Sequence, residues 1–162
     1  MGSRLRQWLS DPVRTLQGAN IRPGQTVLEV GCGTGFFTVP AAQLIGDQGC
    51  LLAMDALAGY LEQVSAKVRD ADLSNVRMLK RDALETGLDS ASVDTVLLFG
   101  VVPFPSLPLN RLLPEMHRIL KSDGSLAVWQ FPVSGWVPKS IVRSGLFTFI
   151  DKRNGVYNYR PC

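Results

Sequence analysis

Thr26-Val27-Leu28-Glu29-Val30-Gly31-Cys32-Gly33-Thr34-Gly35 is the stretch on which the fold turns. Its first half is a short β-branched and apolar run after the turn pair Pro23-Gly24, the pattern of a buried strand. Its second half sets three glycines at alternate positions, which removes every Cβ from one edge of the turn. Backbone can then approach a ligand closely, and positive φ costs little. A helical stretch to about Ile45 follows, with Pro40 confined to its first turn. Strand, glycine loop and helix in that order open a βαβ unit.

The same rhythm runs outward from this unit. Cys50–Met54 is an apolar strand ending at Asp55, and Leu57, Leu61, Val64 and Val68 form one helical stripe. Val76–Lys80 is a brief strand before Asp82. Val93–Phe99 is a near-continuous apolar run, suited to a parallel strand covered on both faces. Leu112, Met116, Ile119 and Leu120 form a second stripe, stopped by Lys121-Ser122-Asp123-Gly124, and Ser125–Phe131 is the next strand. A short helix is expected within Val133–Ser144. Asn154-Gly155 between two alternating runs is a strong hairpin signal. The expectation is a single compact, doubly wound α/β domain over residues 21–162, its seven-stranded sheet mostly parallel and closed by an antiparallel C-terminal hairpin.

Residues 1–20 read separately. Leu5, Trp8, Leu9, Val13 and Leu16 share a helix face opposite Arg4, Arg6 and Arg14. Such an amphipathic segment packs on the domain, or serves as a lid or a membrane-surface contact.

Composition narrows the function. The 162 residues are 46% hydrophobic and 19% charged, too apolar for disorder. No apolar run reaches the roughly 18 to 20 residues of a spanning helix. The first residues lack the apolar stretch of a signal peptide, so a cytoplasmic location is expected. Cys32, Cys50 and Cys162 form no CxxC pair, which argues against a disulfide framework or a zinc site and fits a reducing compartment. No metal site is expected. Net charge is +3, with the charged residues dispersed along the chain, so nucleic acid is disfavoured.

The loop itself selects among nucleoside ligands. Asp55 ends the second strand 20 residues after Gly35. In nucleotide-binding sheets, an acid there accepts hydrogen bonds from ribose hydroxyls. Phe36-Phe37 stands where a P-loop needs Gly-Lys-Ser/Thr, and Phe36 replaces the third glycine of a dinucleotide fingerprint. Glu29 would sit poorly beside phosphates and well beside an ammonium. A ligand with an ammonium, a carboxylate and a ribose fits all three features, and S-adenosylmethionine has them.

LEVGCGTG at 28–35 resembles the glycine motif of class I S-adenosylmethionine-dependent methyltransferases. The resemblance continues through Asp55, Arg81-Asp82-Ala83, Ser92–Val96 and Leu113–Gly124, which covers about residues 21 to 131. The nearest branch is the small-molecule one that includes ubiquinone and menaquinone biosynthesis enzymes. A Rossmann-like fold and S-adenosylmethionine as cofactor are implied. So are site roles. Glu29 would meet the methionine amino group. Gly31, Gly33 and Gly35 would let the loop lie against the methionine portion, with Cys32 as small filler. Asp55 would bind the ribose hydroxyls beside Ala56. Asp82 would accept from the adenine amine in a slot lined by Ala83, and Phe99 would end the fourth strand next to the sulfonium.

The acceptor side is less marked. Phe99-Gly100-Val101-Val102-Pro103-Phe104-Pro105 lacks the motifs of nucleic-acid methylating enzymes, and its apolar lining suits a hydrophobic small molecule. No residue is assigned as catalytic base; His117, the only histidine, is expected on a helix surface. The acceptor pocket is open, completed by residues 1–20, or supplied by another subunit. The other readings are a non-catalytic cofactor-binding module acting with a partner and, less favoured for want of an acidic groove, aminopropyl transfer.

Overall fold

The computed structural model describes residues 11–130 and 135–162. In chain order the elements are α1 (Pro12–Gln17), β1 (Thr26–Val30), α2 (Thr38–Ile45), β2 (Cys50–Asp55), α3 (Ala58–Asp70), β3 (Val76–Lys80), β4 (Val93–Phe99), α4 (Leu109–Ile119), β5 (Leu120–Trp129), α5 (Trp136–Arg143), β6 (Phe147–Arg153) and β7 (Val156–Pro161). The seven strands form one sheet in the order β3-β2-β1-β4-β5-β7-β6. The first five run parallel, and β7 lies antiparallel to both β5 and β6. This is the expected doubly wound architecture with its terminal hairpin.

Alternation along the strands places the cores. Leu28, Val30, Leu52, Met54, Val96, Leu98, Leu126 and Val128 face a core capped by α4 and α5 through Leu112, Met116, Val137 and Ile141. Val27, Leu51, Leu97 and Ala127 face the other way, toward α1 and α2, while Ala53 meets α3 through Leu61, Val64 and Val68. Period 2 in the strands and period 3.6 in the helices thus bury two faces of one sheet. The passage from β3 to β4 has no helix. It is tied down instead by Glu115, whose Oε2 accepts from the Thr86 amide at 2.8 Å and the Thr86 hydroxyl at 2.7 Å. The Arg118 guanidinium bonded to Glu115 holds that carboxyl down at about 2.

Several local expectations change. Leu57 is not part of the α3 stripe: it precedes the helix and is 60% exposed. Leu120 belongs to β5, and Lys121–Gly124 is not a turn before the strand but an irregularity inside it. Val93 pairs with Leu120 and Thr95 with Ser125, so four residues swell out of one strand opposite a single residue of the other. Lys121 Nζ anchors the swelling on Asp94 Oδ1 at 3.0 Å, and a Cβ at Gly124 would lie 2.9 Å from the Asp94 carbonyl oxygen. A helix-period stripe cannot foresee this, because Leu120 joins the same core from a strand.

Of the amphipathic N-terminal segment, Leu5, Trp8 and Leu9 lie outside the described residues, as do Phe131 and Val133. Asp11 caps α1, accepting from Val13 and Arg14 amides. Leu16 is buried as expected, but Val13 is exposed. Helix α1 docks on β7, where the Asn158 amide donates to the Gly18 carbonyl at 2.8 Å. A Cβ at Gly18 would collide with the Arg153 carbonyl oxygen.

Candidate functional site

Strand order reverses between β1 and β4, so a crevice opens beyond their carboxyl ends. The glycine loop leaves β1 at this point. Gly31, Gly33 and Gly35 have φ of 67°, 55° and 87°, the left-handed region in which a side chain is strained. Their surroundings differ. A Cβ at Gly31 would stand 2.6 Å from Val101 Cγ1, and one at Gly35 would press on Val64 at 3.1 Å. At Gly33 nothing lies within 4 Å, so this face of the loop is open backbone.

Two carboxylates frame the loop. Asp55, the last residue of β2, accepts from the Gly33 amide through Oδ2 and from the Leu57 amide through Oδ1, both at 3.0 Å. One side chain thereby fixes the loops after β1 and β2 to each other. Each oxygen keeps a second lone pair for a ligand hydroxyl. Glu29, inside β1, is 3% exposed and accepts from Thr38 Oγ1 at 2.7 Å. Burial pushes its carboxyl up to about 7, the Thr38 hydroxyl opposes the rise, and the nearby Asp55 charge adds to it. A buried acid poised there gains most when a cation arrives beside it.

The remaining expected residues are dispersed around this centre. Cys32 is buried, and its amide extends the β1–β2 ladder to the Met54 carbonyl at 2.9 Å. Burial pushes its thiol up to about 12, with the Glu29 and Asp55 charges adding to the effect, so it is no nucleophile. Ala56 is exposed immediately after Asp55. Asp82 is exposed just beyond β3, whose Lys80 is the register partner of Asp55. Its Oδ1 accepts from the Leu84 amide at 2.9 Å, and Ala83 is buried in the core beneath. Phe99 ends β4, and its ring joins an aromatic group, 5.1 Å from Phe37 and 6.3 Å from Trp129 between centroids.

Three supporting roles escape a reading of the sequence. Thr38, the first residue of α2, orients Glu29. Lys67 reaches from α3 to the Thr34 carbonyl at 2.6 Å and braces the loop tip. Val101 packs where the Gly31 Cβ would be. Only Thr38 has a local signal, a hydroxyl residue opening the helix after the glycines. His117 lies on α4 against Phe147, with Nε2 3.2 Å from the Cys162 carbonyl oxygen, which is the helix-surface position expected of it. Among the described residues no group of His, Cys, Asp and Glu is arranged to hold a metal.

Residues 27–124 match the family model described as "Methyltransferase domain". The chain belongs to this family, as a class I S-adenosylmethionine-dependent methyltransferase domain. It is 32% identical over 126 residues to the demethylmenaquinone methyltransferase of Listeria welshimeri, covering 75% of this chain and 52% of that protein. The corresponding protein of Oceanobacillus iheyensis is 27% identical over 124 residues, 76% of this chain and 50% of that one. The chain therefore spans about half the length of the curated relatives it matches. A solved S-adenosylmethionine-dependent methyltransferase from Aquifex aeolicus superposes with a TM-score of 0.75 over 96% of this chain and 91% of its own, at 23% identity, a likeness of fold. The family's cofactor is S-adenosylmethionine, and the site's donor set fits it. Asp55 and Glu29 offer acceptors of the kind a diol and an ammonium need, and the bare Gly33 backbone leaves room for a ligand's body.

Proposed function

We propose that the chain transfers the methyl group of S-adenosylmethionine to a small, partly apolar acceptor. The observation that carries this reading is the pairing of an open glycine loop with Asp55, whose carboxylate is already held in place by two backbone amides. In the proposed assignment Asp55 receives the ribose hydroxyls and Glu29 the methionine ammonium. Gly31, Cys32, Gly33 and Gly35 lie along the methionine chain, and Ala56, Asp82 and Ala83 form the adenine slot. Phe99, at the end of β4, would lie next to the sulfonium, packed against Phe37. When bound, the cofactor supplies an activated methyl on a cationic sulfur.

What the chain adds is alignment and exclusion of water. Asp55, Glu29 and the glycine loop would hold the cofactor with its methyl toward the acceptor's lone pair; the cofactor would supply the methyl and leave as a neutral thioether, and an acceptor that still carried a proton would lose it to solvent. No base is required of an acceptor already ionised near neutral pH. Neither Cys32 nor His117 supplies one. The named relatives suggest a quinol-like ring as acceptor. Val101 and Val102, buried beyond β4, and Phe104, 54% exposed, would give it an apolar wall. The three cysteines are free, as in a reducing compartment such as the cytoplasm, and among the described residues no helix is long and apolar enough to cross a membrane.

The test is calorimetric titration with S-adenosylmethionine and S-adenosylhomocysteine, with NAD as control. It is followed by incorporation of labelled methyl into a demethylated naphthoquinol. Micromolar binding of the first two ligands is expected, with label transfer at subsaturating cofactor reduced more than tenfold in Asp55→Ala. A folded sample that binds neither overturns the reading.

A further inference from the structure

The charge on this chain is unevenly distributed. Residues 136–162 carry five Lys and Arg and one acid, net +4, whereas residues 1–135 carry twelve and thirteen, net −1. The excess is thus confined to α5 and the hairpin, far along the sheet from the glycine loop. On the face of the sheet that carries α5, a groove of about 410 Å³ runs between α5 and the hairpin. Its floor is Val142, Phe149 and Tyr157, with Val142 47% and Phe149 45% exposed. Lys139 and Arg143 rise from α5 on one side. Lys152 stands on the other, its ammonium 4.8 Å above the Tyr157 ring. No acid lines this groove. Trp136, 55% exposed, begins the same helix.

An apolar floor inside a cationic rim has a specific complement: a surface that is apolar within and anionic at its edge. We propose that the α5–hairpin face docks on an anionic lipid bilayer, with Phe149 and Val142 entering the interface and Lys139, Arg143 and Lys152 meeting lipid phosphates. Stems of lysine and arginine lie along apolar surface while their heads reach polar groups, so both features serve one contact. The electrostatic part draws on the attraction of cationic side chains to an anionic leaflet, and it falls with salt. A second copy of the chain is a poor occupant, because two faces each rimmed by Lys139, Arg143 and Lys152 repel. A nucleic acid would match the cations but leave Phe149 and Val142 exposed.

The experiment is co-flotation of the full chain with phosphatidylcholine vesicles containing no or 30% phosphatidylglycerol, at low and high salt. The expected result is binding to the anionic vesicles only, lost by tenfold or more at high salt. Lys139→Glu with Arg143→Glu should lower partitioning more than tenfold, and Phe149→Ser should lower it severalfold, all with unchanged circular dichroism. Equal partitioning to both vesicle types, or none to either, overturns the proposal. So does a concentration-dependent dimer that Phe149→Ser dissolves, or duplex DNA binding that competes with vesicles and is indifferent to Phe149→Ser. S-adenosylmethionine affinity, measured on the same variants, should not move.

Discussion

The carboxyl ends of β1 and β2 and the β7–β6 hairpin solve one problem in opposite ways. Both must satisfy backbone groups that leave the regular ladder. At the first, acids do it: Asp55 collects two amides and Glu29 is buried against Thr38. At the second, amides do it: Asn158 donates to the Gly18 carbonyl and to Asp151, and Asn154 donates to the Arg14 carbonyl. Acceptors crowded at one end leave that end ready for a cationic, hydroxyl-rich ligand. Neutral amides at the other end tie α1 to the hairpin and add no charge, so the surrounding Lys and Arg dominate. One sheet therefore presents two surfaces of opposite preference.

The sharpest way to break this comparison is Glu29→Gln. Glu29 has its carboxyl raised in the fold from 4.5 to about 7, so the folded state holds a proton that the unfolded chain has released. Stability then falls as pH rises through that window, by about 3 kcal/mol for a shift of this size. Glu29→Gln keeps the acceptor for Thr38 but removes the charge. Its Tm should be higher than that of the native chain at pH 8 and equal near pH 4.5, while its S-adenosylmethionine affinity drops. A parallel pH profile for both proteins would refute the buried-acid account.

Asp55→Ala comes next. It should weaken S-adenosylmethionine binding more than tenfold, above about 1.4 kcal/mol, and cost about 1 kcal/mol of stability as Gly33 and Leu57 lose their acceptor. A near-unchanged Kd would defeat the ribose assignment. Gly31→Ala should cost about 2 kcal/mol in urea unfolding, part from φ of 67° and part from Val101. Adding Val101→Ala should return only the steric part; full recovery would mean that φ carries no strain. The smallest effect belongs to the far region: Asn158→Ala should lower stability by about 1 kcal/mol and leave cofactor Kd unchanged. A cofactor effect there would show the two ends to be coupled.

How far the chain can be read without its fold follows from range. Glu29, the three glycines and Asp55 are legible because each lies at a strand's carboxyl end, and strands announce themselves within five or six residues. Leu57 and Leu120 mislead because an apolar residue at helical spacing looks the same inside a helix and one position outside it. Lys67 bracing Thr34 spans 33 residues, and no local pattern marks it. The groove beside α5 is less legible still: only residues 144–146 separate α5 from β6, but which faces the two turn toward each other is set by packing.

The sequence by itself determined the alternation of strands and helices, the glycine loop and its acids, and the hairpin, because side-chain period and turn chemistry are properties of neighbours along the chain. Tertiary structure alone decided that β7 inserts between β5 and β6, that four residues swell out of β5, that Glu29 is buried enough to hold its proton near pH 7, and that the cations of α5 and β6 share a rim. Strand order and desolvation depend on which distant segments meet, and the shared rim on how neighbouring elements turn toward each other; both are settled by burial of the whole sheet.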